Sequence, residues 1–165
     1  MSNIFVTGNR LEFNGRTYTC AIGKKGLSAN KHEGDNCTPL GEFALREVLY
    51  RADKIKKPET KLKVSTIEKT DGWCDAPDDK NYNRKVKLPY TASHEKLWRD
   101  DDVYDVIVPL GYNDSPPIPG KGSAIFLHVA RPDYSGTEGC VALKCADLLE
   151  ILRGVDANTK IIISQ

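Results

Sequence analysis

The sequence has no surplus charge: 24 Lys and Arg stand against 23 Asp and Glu, a formal net charge of +1 over 165 residues. So balanced a chain lacks the basic footprint of an electrostatic nucleic-acid binder, and no nucleic-acid partner is expected. No apolar run approaches the roughly 20 residues of a membrane-spanning helix. The N-terminus, Met1-Ser2-Asn3-Ile4-Phe5-Val6-Thr7-Gly8-Asn9-Arg10, has no basic stretch leading into an apolar one, so no export signal is expected. Cys-x-x-Cys is absent, and His32, His94, Cys37 and Cys74 are too scattered for a structural zinc site. Neither a metal nor a cofactor is expected. Gly120-Lys121-Gly122-Ser123 lacks the spacing of a phosphate-binding loop. Ala146 occupies the place, six residues after Cys140, where a cysteine phosphatase would carry Arg. No pair of acids stands out as a glycosidase couple.

Five cysteines are present (Cys20, Cys37, Cys74, Cys140 and Cys145), an odd number that cannot all pair within one chain. A secreted disulfide scaffold uses an even set in a shorter sequence. A cytoplasmic, monomeric protein with reduced thiols is expected, one of them reactive, with the periplasm or cell envelope as the alternative for a truncated N-terminus. No internal repeat, low-complexity tract or shift in composition divides the chain, so residues 1–165 read as one domain.

The N-terminal third reads as short strands at 4–7, 10–13 and 16–22. Asn14-Gly15 between two β-favouring runs is a strong hairpin signal. Residues 23–41 read as a loop closed by a turn at Thr38-Pro39-Leu40-Gly41, and Glu42 to Tyr50 resumes an extended pattern. Residues 51–102 are polar and irregular, with a short helical candidate at 93–101, and read as an insertion or lid-like segment. Two apolar strands follow at 103–108 and 124–129. Lys144 to Arg153 reads as a helix, because Cys145, Leu148, Leu149 and Leu152 fall at the spacing of one buried face, with Gly154 as C-cap. Residues 159–164 form a terminal core strand. The class is β-rich α+β.

The sharpest chemical feature is Thr137-Glu138-Gly139-Cys140-Val141, with His128 twelve positions before Cys140 at the end of an apolar strand. Cysteine is nucleophilic as the thiolate, which a neighbouring imidazole favours. Gly139 permits a tight turn that can aim amides at a developing oxyanion. On spacing alone, Cys140 reads equally well as a small buried hydrophobe and His128 as a core histidine.

These residues resemble a known family. Ile125-Phe126-Leu127-His128, then Thr137-x-Gly139-Cys140-Val141 and an amphipathic helix, are similar to the YkuD-type catalytic domain of L,D-transpeptidases. Thr38-Pro39-Leu40-Gly41-Glu42-Phe43 resembles that family's upstream Thr-Pro-x-Gly-x-Phe segment. The resemblance implies a YkuD-like mixed sheet with a helix after the nucleophile. It implies that Cys140 attacks the carbonyl between a diamino acid's L-centre and the following D-residue of a peptidoglycan stem peptide. His128 would be the base, oriented by a backbone carbonyl. Thr137 would hold the Ser/Thr position, and amides around Gly139 and Cys140 the oxyanion hole.

Three features depart from the family pattern. Glu138 replaces the usual His, the His-to-Cys interval is short, and Ala142 stands where the family usually has Arg. A substrate carboxylate still calls for a guanidinium. Arg99, Arg51 and Arg131 are the candidates, with Trp98 and other mid-chain aromatics as groove-lining residues. Leu97-Trp98-Arg99-Asp100 and Tyr50-Arg51-Ala52-Asp53 resemble segments of a divergent branch. Water as acyl acceptor, giving an L,D-carboxypeptidase of muropeptide recycling, is expected from the missing signal. The alternatives are a cross-linking transpeptidase and a non-catalytic peptidoglycan-binding module.

Overall fold

The N-terminal residues alternate apolar and polar with a period of two, and each alternation becomes a strand with one buried face. In the computed structural model, which describes residues 2–165, Ile4 and Val6 of β1 (Ile4–Thr7) are buried, as are Leu11 and Phe13 of β2 (Arg10–Phe13). Asn14-Gly15 turns the chain into β3 (Arg16–Ala21), with φ of +49° and +76° at the two turn residues. That left-handed pair matches the twist of the flanking strands.

Residues 23–41 are less loop-like than their composition suggests. β4 (Leu27–Ser28) pairs in parallel with β5 (Thr38–Pro39), and the chain runs on into β6 (Gly41–Ala44). Thr38-Pro39 is thus extended rather than part of a closing turn. The expected stretch 42–50 divides into β6 and β7 (Val48–Tyr50), with Leu45 bridged to Leu110 between them.

The irregular reading of 51–102 is corrected by four short strands: β8 (Val64–Thr66), β9 (Asp71–Cys74), β10 (Lys85–Lys87) and β11 (His94–Lys96). The helix expected at 93–101 is absent. His94, Glu95 and Lys96 pair with Cys74, Trp73 and Gly72 instead. Burial decides this: extended pairing on β9 leaves Leu97 fully buried, which a lone apolar pair on a short polar helix would not achieve.

The last third carries β12 (Val106–Pro109), β13 (Phe126–Val129), β14 (Val141–Leu143), α1 (Cys145–Leu152) and β15 (Lys160–Ser164). Ten strands form one mixed sheet in the order β6-β15-β1-β2-β3-β14-β13-β12-β7-β8, and β10-β9-β11 form a small second sheet. Among the described residues no helix is long and apolar enough to cross a membrane.

α1 buries Leu148, Ile151 and Leu152, while Cys145 and Leu149 are only half-buried, so its apolar arc is rotated from the expected one. Gly154 is not a left-handed cap. A β-carbon there would meet Phe13 Cε2 at 2.8 Å, so close approach to β2 requires the glycine.

Strands β12 to β14 are covered on both faces, which explains their continuous apolar runs. Val106, Val108, Leu127, Val129, Val141 and Leu143 join the main core with α1. On the opposite face Ile107, Phe126 and Cys140 join a second cluster with Leu49, Ile67 and Leu97. The small sheet covers that face through Trp73, whose ring lies edge-on to Phe126 at 5.0 Å. His128 pairs in register with Ala142. Alternation therefore sets His128, Cys140 and Ala142 on the same face of adjacent parallel strands.

Candidate active site

Cys140 and His128 are both buried and line one cavity of about 650 Å³. The Cys140 thiol donates to the Ala124 carbonyl at 3.2 Å and accepts from the Phe126 amide at 3.3 Å. His128 Nδ1 lies 2.9 Å from the Val129 carbonyl. A carbonyl can only accept, so Nδ1 carries the proton and the Nε2 lone pair is left for a base. The orienting carbonyl that the sequence could not locate is that of the next residue.

The turn bearing the thiol is held by two threonines. Thr137 Oγ1 accepts from the Gly139 amide at 3.1 Å and donates to the Cys140 carbonyl at 2.7 Å. Thr38 Oγ1 accepts from the Gly23 amide at 2.8 Å and donates to the Gly139 carbonyl at 2.8 Å. The two similar sequence segments thus meet at Cys140. Gly139 has φ of +144°, and a β-carbon there would meet the Cys37 carbonyl oxygen at 2.9 Å, so no other residue fits without strain. Of the two amides expected to meet an oxyanion, that of Gly139 is occupied by Thr137. The Cys140 amide makes none of the turn's hydrogen bonds.

A second support was not legible in the sequence. Ala124 sits at φ +55°, a conformation that costs a non-glycine residue about 1–2 kcal/mol. Its amide donates to Asn83 Oδ1 at 3.0 Å, which also accepts from Trp73 Nε1 at 2.9 Å. Asn83 Nδ2 in turn donates to the Asn113 carbonyl at 2.8 Å. This buried network holds Ala124 so that its carbonyl faces the thiol. No local motif marks Asn83, because its role depends on three distant segments meeting.

Burial decides the protonation of the resting pair. It pushes the Cys140 thiol up to about 12, against a smaller lowering by the Phe126 amide. It holds the His128 imidazole down at about 4, and the Arg99 and Arg131 guanidiniums push it in the same direction. The free site therefore holds a thiol and a neutral imidazole rather than an ion pair.

Arg99 and Arg131 line the cavity. Arg99 forms a fork with Asp101 at 2.8 and 2.7 Å, and its Cζ lies 5.2 Å from the Tyr104 ring centroid. The Tyr104 ring lies 5.5 Å from that of His128. Arg131 Nη1 is 3.8 Å from the same Asp101. Ala142, where the family pattern has Arg, also lines the cavity. Arg51 and Trp98 are not among its lining residues. Arg51 is buried, pairs with Asp53, stacks at 3.6 Å over Trp98 and donates to the Arg99 carbonyl at 2.7 Å. It braces the segment that carries Arg99. The cavity also contains charged residues that the sequence did not single out: Lys31, Glu33, Asp75 and Glu95.

Bd1075 of Bdellovibrio bacteriovorus is 16% identical with a TM-score of 0.47, the alignment covering 99% of this chain and 47% of that one. L,D-transpeptidase 1 of Mycobacterium tuberculosis is 11% identical with a TM-score of 0.41, covering 99% and 62%. An L,D-transpeptidase of Mycobacterium smegmatis is 12% identical with a TM-score of 0.42, covering 99% and 59%. The chain thus spans between 47% and 62% of the length of these proteins. A search of curated protein sequences finds no match. The profile of the YkuD family, the L,D-transpeptidase catalytic domain, matches residues 4–163, and the chain belongs to that family.

Proposed function

We propose that the protein is a cysteine acyl-transfer enzyme that removes D-Ala from tetrapeptide stems of peptidoglycan or muropeptides, with water as the acceptor. The observation that carries this reading is one cavity in which a buried thiol, a neutral imidazole with its Nε2 unprotonated and two guanidiniums converge. Arg99 and Arg131 would bind the terminal carboxylate of the D-residue. His128 Nε2 takes the Cys140 proton as sulfur attacks the carbonyl of the diamino acid's L-centre, because a resting thiol must lose its proton in the same step. The oxyanion is met by the Cys140 amide. Collapse expels the D-Ala amine, which takes the proton from the imidazolium and leaves an acyl-enzyme. His128 then deprotonates water, which attacks the thioester and releases the tripeptide.

Water as acceptor, and a cytoplasmic setting, are supported by the five cysteines, all of them free thiols, which a reducing compartment preserves. One observation favours an amine acceptor. A neighbouring cavity of about 820 Å³ shares Val103 and Arg131 with the first and offers room for a second peptide. Mass spectrometry of purified tetrapeptide incubated with the protein separates the readings. Tripeptide and free D-Ala, lost in Cys140→Ala, support hydrolysis, whereas cross-linked dimers in mixtures support transpeptidation. Peptide binding without turnover by either protein would make it a non-catalytic module, and no turnover on any stem peptide overturns the proposal.

A further inference from the structure

Four carboxylates line the catalytic cavity outside any ion pair among the described residues; Glu33 is held by two hydroxyls, and the other three are less fully matched. Asp75, Glu95 and Glu138 line it together with Cys140, and none of them enters an ion pair among the described residues. Asp75 directly follows β9, Glu95 comes from β11, and Glu138 directly precedes Gly139 in the thiol-bearing turn. Glu95 accepts one hydrogen bond, from the Tyr104 hydroxyl at 2.8 Å. Asp75 Oδ1 is buried and has no donor at all. Such an oxygen loses its hydration without compensation.

The other charged groups of the cavity are already matched or lie at its edge. Lys31 pairs with Asp35 at 2.6 Å, Arg99 and Arg131 flank Asp101, and Lys24 is exposed. Glu33 accepts from the Tyr82 and Ser123 hydroxyls, each at 2.7 Å. The guanidiniums thus carry their own counter-ion, while the trio does not. Burial, with the charges of Asp75 and Glu138, pushes the Glu95 carboxyl up to about 7, against lowering by the Tyr104 hydroxyl and the Arg99 guanidinium. Glu95 and Glu138 in turn raise the Cys140 thiol, against the opposing charge of Lys31. The trio is not a metal centre, because among the described residues no group of acids, His and Cys is close enough to hold an ion. An ammonium on a flexible side chain needs no such tight coordination shell.

We propose that Asp75, Glu95 and Glu138 form a subsite for a free ammonium on the substrate, and that its arrival offsets negative charge that adds to burial in disfavouring the Cys140 thiolate. The substrate class rests on the stem-peptide reading, in which the residue that donates the acyl group is a diamino acid with a second, unreacted amine. Recognition and activation are then one event: the correct peptide brings the charge that lowers the cost of forming a thiolate. An unoccupied site stays protected from stray alkylation and oxidation.

The test uses two readouts at pH 8, where Glu95 is ionised, on the full chain and on Asp75→Asn/Glu95→Gln. Melting temperature checks the fold. Glu138→Gln, exposed and outside the core, serves as a second variant with smaller effects of the same sign. The wild type should cleave a tetrapeptide with a free side-chain amine roughly tenfold or more faster than the same peptide acetylated there, and the double variant should narrow that ratio. The same variant should react several-fold faster with iodoacetamide at Cys140 in the absence of peptide. Loosening of the site would speed alkylation too, so the narrowed ratio between free and acetylated peptide is the readout that a merely structural role does not move. Equal cleavage of the two peptides by the wild type, or both rates falling in the variant, overturns the proposal. If neither peptide is cleaved, the stem-peptide reading fails instead. The alkylation rates alone then decide the electrostatic claim, and an unchanged rate contradicts it.

Discussion

At the scale of single residues, the site is governed by what burial does to charge. His128 is held neutral down to about pH 4, whereas the Glu95 carboxyl titrates at about 7. If ammonium binding needs Glu95 ionised, activity is lost as pH falls through 7, long before the base is protonated. The acidic limb of the kcat/KM profile should therefore lie near pH 7 and move toward pH 5 or below in Glu95→Gln. A limb that stays in place in the variant would assign it to another group. Thr38 offers a separate check. Thr38→Val leaves the Gly23 amide and the Gly139 carbonyl without their shared partner. It should cost about 1–3 kcal/mol in urea unfolding and lower kcat, with Thr38→Ser restoring both. His128 and Cys140 stood out at this scale through the resemblance, since their spacing alone fits core residues equally well. Asn83, Asp75 and Glu95 did not, since an amide or carboxylate in a polar stretch has no local mark of burial.

At the scale of elements, residues 51–102 change meaning most. Their polar composition hid four strands, because strands of three or four residues alternate too briefly to show a period. The common face of Cys140 and His128 was hidden as well, because Phe126-Leu127-His128-Val129 and Val141-Ala142-Leu143 are buried on both sides and read as continuous apolar runs. The two arginines of the middle segment now separate. Arg99→Ala should raise KM about tenfold or more and leave the melting temperature unchanged, since its guanidinium lines the cavity. Arg51→Ala should lower the melting temperature first, because it removes the stack on Trp98 and the bond to the Arg99 carbonyl. Unchanged kinetics in Arg99→Ala would assign the carboxylate to Arg131. On α1, the observed arc makes Leu148→Ala costly, about 2–5 kcal/mol, whereas truncating half-buried Leu149 should cost clearly less.

At the scale of the whole molecule, stability should be nearly flat through weakly acidic pH because two buried groups oppose each other. His128 has its folded value lowered from 6.5 to about 4, so the unfolded chain binds the extra proton and stability rises with pH across that window. Glu95 has its folded value raised from 4.5 to about 7, so the native state binds the extra proton and stability falls with pH across nearly the same window. Removing one exposes the other. Glu95→Gln should gain a slope of up to about 1.4 kcal/mol per pH unit between roughly pH 4.5 and 6.5, read by urea unfolding. A wild-type curve with that slope already present would contradict the opposition. Above pH 9 both Cys20 and Cys140, each pushed up to about 12, keep protons that the unfolded chain releases, so stability should fall. The β-rich class was legible from patterning. The pairing of ten strands in one sheet was not, since it depends on long-range contacts such as β6 with β15.

The central claim is that Cys140 forms an acyl-enzyme with a stem peptide, and intact-protein mass spectrometry within seconds of mixing with tetrapeptide tests it most directly. The account predicts a mass increase equal to the peptide minus D-Ala, mapped to Cys140 and absent in Cys140→Ala. Release of D-Ala by Cys140→Ala at the wild-type rate would contradict it.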